Sequence, residues 1–184
     1  AEAARAEQTS QARAGLPSPL SPFIGRARER AELRDAIRAR RQVTAVGPGG
    51  VGKTRLALAV AGDLAGDFQD GVWFVDLVPV TDPAMVGSAV AAALGLGEQQ
   101  GRSIDDSVLA ALADRRALLV LDNCEHLPDG VAPFVERLLA ACPYLSVLTT
   151  SRARLLVPFE GVYPVPPLSL EGHDLTGAAI EERK

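Results

Sequence analysis

The sequence predicts an α/β fold: a parallel sheet covered by helices on both faces, in three layers. Two observations lead to it, namely short, continuously apolar and β-branched runs, and helix-length amphipathic segments that separate them. A third is the glycine-rich turn Gly47–Gly52, set between the first apolar run and the helical pattern after it.

The elements follow in chain order. Ala27–Arg40 places Leu33, Ala36, Ile37 and Arg40 at helical spacing. Seven arginines lie between Arg26 and Arg41, but Glu29, Glu32 and Asp35 interleave at pair-forming spacings, which reads as a solvated face and not as a nucleic-acid stripe. Val43–Val46 is a buried strand, and Leu56, Val60 and Leu64 then recur as a helix does. Val72–Leu77 is a second strand. Asp82 and Pro83 supply an N-cap and a first-turn proline for a helix through Leu94. Ser103 and Asp106 have capping-box spacing ahead of Val108, Leu109 and Leu112. Ala117–Asp122 is a third strand, Val131–Cys142 a helix stopped by Pro143, and Leu145–Thr150 a fourth strand.

Composition bounds the function. A chain of 184 residues has material for one full core, and 47% hydrophobic with 23% charged residues excludes wholesale disorder. A net charge of -4 argues against the chain as a whole binding nucleic acid by counterion release. Cys124 and Cys142 make no disulfide framework and read as reduced core thiols, which places the protein in the cytoplasm. Pro83–Gly97, the longest uncharged stretch, is too short to cross a bilayer, and no signal-peptide core precedes it. Ala1 at the start and Met85 as the sole methionine suggest a processed product or an excised piece of something longer. Of the 19 basic residues only Lys53 and Lys184 are lysine, so Lys53 marks a place that suits a compact ammonium better than a guanidinium fork.

Parallel sheets bind ligands at the carboxyl ends of their strands. There, after the first strand, stands Gly47-Pro48-Gly49-Gly50-Val51-Gly52-Lys53-Thr54, which fits G-x-x-x-x-G-K-S/T, the Walker A pattern. Glycines let successive backbone N–H groups turn inward as an anion nest, and the next helix adds the positive end of its dipole. Lys53 would put a point charge on the outer phosphates, and the Thr54 hydroxyl is a hard oxygen suited to Mg2+. Asp122 ends a wholly apolar strand, where a carboxylate can hold the metal through water beside Thr54. Asn123 can orient a water but cannot take its proton, whereas Glu125 is a general base if it reaches the site. Arg152, just past the fourth strand, is either a contact to the terminal phosphate or an ordinary surface arginine. Cys124, His126, Cys142 and His173 have no tight zinc-ligand spacing.

With these residues in place, the chain resembles the STAND signal-transduction ATPases, relatives of the AAA+ proteins that include the NB-ARC modules. It resembles in particular the ATPase modules of actinobacterial transcription regulators of the SARP and LuxR types. The matching stretches are Phe23-Ile24-Gly25-Arg26, GPGGVGKT, GVWFVDL, LLVLDNCEHL, VLTTSR and Val162–Ser169. The resemblance implies a P-loop NTPase sheet of order 5-1-4-3-2, ATP or ADP with Mg2+ as ligands, and Phe23, Ile24 and Arg26 against adenine and ribose. It makes Gly47–Arg55 the phosphate site, Thr54 and Asp122 the metal residues, and Arg152 the γ-phosphate sensor. Lys53, Asp122, Arg152 and Glu125 become the catalytic candidates. Where many relatives carry a second acid after the metal aspartate, this chain has Asn123, so hydrolysis is expected either to be slow or to depend on Glu125.

The expected organisation is a mobile arm over residues 1–22, the NTPase domain over 23–170 and a linker stump over 171–184. The expected function is an ATP/ADP switch with slow ATPase activity inside a larger regulator. DNA would be met only through domains missing from this chain, and ATP-dependent self-association would belong to the full-length protein. The alternatives are a P-loop phosphotransferase acting on a small molecule and a nucleotide-binding scaffold without turnover.

Overall fold

The structure, a computed structural model, describes residues 26–167. The expected arm, the expected stump, and Phe23 and Ile24 lie outside the described residues. The elements are α1 (Ala27–Ala39), β1 (Gln42–Val46), α2 (Lys53–Leu64), β2 (Val72–Asp76), α3 (Val86–Leu94), α4 (Ile104–Leu112), β3 (Leu118–Asp122), α5 (Pro128–Ala141), β4 (Ser146–Ser151) and β5 (Gly161–Pro164).

The five strands form one sheet of order β2-β3-β4-β1-β5, every neighbouring pair parallel. This is the expected order read from the opposite edge. Side chains alternate across the strands, so β3 feeds both layers. Leu118 and Val120 join Val43, Ala45 and Leu148 under Leu33 and Ile37 of α1 and Leu56, Val60 and Leu64 of α2. Leu119, Leu121 and Val147 face the other way, against Val86 and Val90 of α3, Val108 and Leu112 of α4, and Val131, Val135 and Leu138 of α5. The four residues Leu118–Leu121 are at most 1% exposed. Each such side chain contributes about 1.5–3 kcal/mol by leaving water, so β3 helps hold both layers to the sheet.

Local details refine the sequence reading. The Asp82 side chain caps a short 3-10 turn, Pro83–Met85, accepting from the Ala84 amide at 2.9 Å, and α3 itself starts at Val86. Ser103 caps α4 as its spacing predicts, accepting from the Asp106 amide at 3.1 Å. Helix α5 starts three residues earlier than Val131, with Pro128 in its first turn and Pro133 inside it. The arginine-rich α1 makes one pair along its own face, Arg28 to Glu32 at 2.8 Å. Its other pairs cross to α2 and the turn after it: Arg30 and Arg34 to Asp63, and Arg38 to Asp67. The solvated face is therefore also an inter-helix seam.

The turn after β4 runs back to the amino end of the sheet and is fastened there by Glu160, whose side chain is fully buried. Its carboxylate accepts from the Leu155 and Leu156 amides at 2.7 and 3.2 Å and from the Thr44 hydroxyl at 2.7 Å. Among the described residues no helix is long and apolar enough to cross a membrane.

Candidate functional site

The register of the sheet brings the sequence candidates to one edge. Val46 at the end of β1 pairs with Ser151 at the end of β4, and the Gly47 amide donates to the Ser151 carbonyl at 3.2 Å. The turn Gly47–Gly52 thus leaves the sheet beside Arg152. Gly50 and Gly52 have φ of +84° and +86°, left-handed backbone that a side chain strains. Gly52 is the residue from which α2 begins, so the positive end of that helix lies at the turn. A Cβ on Gly49 would stand 2.9 Å from Nη2 of Arg152, which places the guanidinium directly over the turn.

Lys53 is 7% exposed, and its ammonium donates to the Gly47 and Pro48 carbonyls at 2.7 and 3.0 Å. The ammonium is held inside the curve of the turn. Pro48 and Gly49 are exposed, Val51 is buried against the α1–α2 layer, and Arg55 is exposed on α2. Arg26 precedes α1 with φ of 54°, and its Nη1 and Nη2 are buried without a hydrogen-bond partner among the described residues.

Thr54 and Asp122 meet. The Thr54 hydroxyl lies 2.9 and 2.8 Å from the two carboxylate oxygens of Asp122. Two partners that sequence reasoning did not single out complete the cluster. The Thr150 hydroxyl donates to Oδ1 of Asp122 at 2.5 Å, and in turn accepts from the Asn123 amide at 2.9 Å. Asp76, opposite Asp122 across the β2–β3 pair, accepts from the Asn123 side-chain amide at 3.0 Å, and the same amide reaches Oδ2 of Asp122 at 2.9 Å. Asn123 is thereby a bridge between two carboxylates, with its backbone at φ 61°. A polar residue at the carboxyl end of each strand was the available signal for both.

Asp122 is 2% exposed. Burial raises its pKa above the ordinary carboxylate value; the hydroxyls of Thr150 and Thr54 oppose this, and the charges of Asp76 and Glu125 add to the rise. A carboxylate so placed gains from a cation. The donor set fits Mg2+: a hydroxyl and a carboxylate, both hard oxygens, converge beside an anion-binding turn.

Glu125 sits in the 3-10 turn Cys124–His126, at the same edge. Its Oε1 is 3.9 Å from Nε of Arg152, and its Oε2 is buried without a hydrogen-bond partner among the described residues. Cys124 and Cys142 are buried free thiols, and burial pushes both up from the ordinary thiol value. His173 lies outside the described residues.

The fold is that of the P-loop NTPases. The chain is similar to a crystal structure of a STAND protein with a tetratricopeptide-repeat sensor from Pyrococcus horikoshii, at TM-score 0.56 and 19% identity, covering 91% of this chain and 26% of that one. It is similar also to Cdc6p from Pyrobaculum aerophilum, at TM-score 0.60 and 18% identity, covering 86% and 51%. No protein-family profile matches the chain. Among curated relatives, an uncharacterized protein of Mycobacterium tuberculosis is 43% identical over 162 residues, 88% of this chain and 40% of the relative. A putative HTH-type transcriptional regulator of the same organism is 46% identical over 138 residues, 75% of this chain and 15% of the relative. The regulatory protein AfsR of Streptomyces coelicolor is 34% identical over 164 residues, 78% of this chain and 16% of the relative. The chain thus spans less than half the length of these relatives, two of which are named as regulators.

Proposed function

We propose that the chain is a nucleotide-operated switch module of the STAND type, binding ATP or ADP with Mg2+, hydrolysing ATP slowly, and serving a larger cytoplasmic transcription regulator of the SARP or LuxR type. In this reading residues 23–170 are the module, flanked by an arm over 1–22 and a linker over 171–184. DNA contact and ATP-dependent self-association belong to the rest of the regulator.

The observation that carries the reading is the meeting of Thr54 and Asp122 at 2.8–2.9 Å beside a lysine folded into the glycine turn. The amides of Gly47–Thr54 would take the phosphate chain, and Lys53 would exchange its two carbonyl contacts for phosphate oxygens. Thr54 and Asp122 would hold Mg2+, which when bound neutralises charge on the outer phosphates. Phe23, Ile24 and Arg26 would meet the base and ribose, and Arg152 the γ-phosphate. Arg26 supports this with two buried guanidinium nitrogens that have donors to give. Asn123, engaged by both Asp76 and Asp122, orients and does not accept a proton, which is why turnover would be slow.

Calorimetry with ADP and ATP in magnesium tests the reading, together with a phosphate-release assay. The wild type binds both nucleotides and releases phosphate without an added acceptor; Lys53→Ala loses about tenfold or more in affinity while keeping its fold. Binding with no release supports a scaffold, and release only with a small-molecule acceptor supports a phosphotransferase. Binding of neither nucleotide at millimolar concentration removes the proposal.

A further inference from the structure

The pair Glu125 and Arg152 is built unlike an ordinary surface salt bridge. The glutamate side chain is 19% exposed and the arginine 67%. One glutamate oxygen has no hydrogen-bond partner, and the other stands 3.9 Å from the guanidinium, too far for a hydrogen bond. A largely buried carboxylate thus has an incomplete match, and it leans on a cation that is free to move in water. The same guanidinium reaches over Gly49, with Nη2 2.9 Å from where a Cβ there would stand. Arg152 therefore lies between a fixed carboxylate on one side and the candidate anion-binding glycine turn on the other.

We infer that Glu125 is a positioning residue that competes with the terminal phosphate for Arg152, and so sets the preference of the site between ATP and ADP. The inference rests on the nucleotide reading above. A phosphate takes a guanidinium through two short parallel hydrogen bonds, which the long contact to Glu125 does not offer. A triphosphate that reaches Arg152 draws it away from Glu125 and leaves that carboxylate close to a second anion. A diphosphate, shorter by one group, leaves the pair intact. The carboxylate thus acts against ATP and is silent towards ADP, holding the affinities of the two ligands closer than the P-loop alone would set them. A ligand shifts a two-state device only by its differential affinity, and the Glu125 carboxylate is a component of that difference.

This role and that of general base separate cleanly. A base alters turnover and leaves nucleotide affinity alone. A competitor alters the ATP-to-ADP affinity ratio, and only while Arg152 is present. Calorimetric titration of the full chain with Mg-ATP and Mg-ADP, for wild type, Glu125→Gln, Arg152→Gln and the double variant, reads both, with phosphate release followed in parallel. Glu125→Gln is expected to tighten ATP by about three- to tenfold and to leave ADP within about twofold; Arg152→Gln weakens ATP; in the Arg152→Gln background the Glu125 change has no further effect on the ratio. Glu125→Gln moving ATP and ADP equally, acting undiminished without Arg152, or lowering phosphate release at unchanged affinities overturns the inference. Wild type that binds neither nucleotide overturns the underlying reading instead.

Discussion

Thr150 shows how a single hydroxyl holds the candidate metal residue. It donates to Asp122 and accepts from the Asn123 amide, so both of its functions lie in a buried cluster. Thr150→Val keeps the shape and removes both bonds; it is expected to cost about 1–3 kcal/mol by denaturant unfolding, with Thr150→Ser recovering most of the loss. Tyr163 is a second case. Its hydroxyl donates to Oε2 of Glu32 at 2.8 Å, joining β5 to α1. Burial first, and then the bond to Glu32, raise its pKa above the usual phenol value. A folded-state pKa above that of the unfolded chain gives a contribution that is whole below about pH 10 and is lost as pH rises through the folded value. Stability should therefore fall on the alkaline side above about pH 10, and Tyr163→Phe should flatten that part of a urea-midpoint profile against pH. At this scale the sequence singled out the charged and glycine residues of the candidate site, because their types carry chemistry. It did not disclose Thr150 or Asp76, which matter only through neighbours 28 and 47 residues away.

At the scale of elements, apolar period located most helices and the first four strands to within a residue or two. Helix α5 was legible only from Val131, since Pro128-Asp129-Gly130 reads as a turn. Proline is at home in a first helical turn, and Gly130 is there for a steric reason: a Cβ would stand 2.9 and 3.0 Å from the Pro83 Cα and carbonyl carbon, and closer still to its oxygen. These are backbone atoms of a capped turn and cannot swing aside. Gly130→Ala gains about 1 kcal/mol of helix propensity. It pushes two packed elements apart at about 1–3 kcal/mol, so a net fall in melting temperature is expected by calorimetry. Strand β5 was visible through resemblance alone, because Gly161–Pro164 is four residues long, contains a proline and has one half-exposed face. Its place is set from outside, by Glu160 fastening the preceding turn to β1 through Thr44. The cross-helix pairs of α1 were hidden for a similar reason, since Arg30 and Asp63 are 33 residues apart.

At the scale of the whole molecule, the alternation of strands and helices was enough to fix a parallel three-layer sheet, whereas pattern alone does not order strands. That order came from the motif resemblance, and the register then put Gly47, Asp122 and Arg152 on one edge. Among the described residues strand β1 has only β4 and β5 as neighbours. A chain ended at Tyr144 keeps α1, β1 and the glycine turn but leaves that strand unpaired, and it should show no cooperative thermal transition by circular dichroism. The same topology governs the birth of the protein. Gln42 finds its partner in Val147, and Val43 finds one in Gly161, so in a growing polypeptide the glycine turn is synthesised well before the strands that brace it. Closing so long a loop precedes any reward from pairing, so docking of the last two strands is the expected slow event of folding, and the edge that carries the candidate site is the last to be braced.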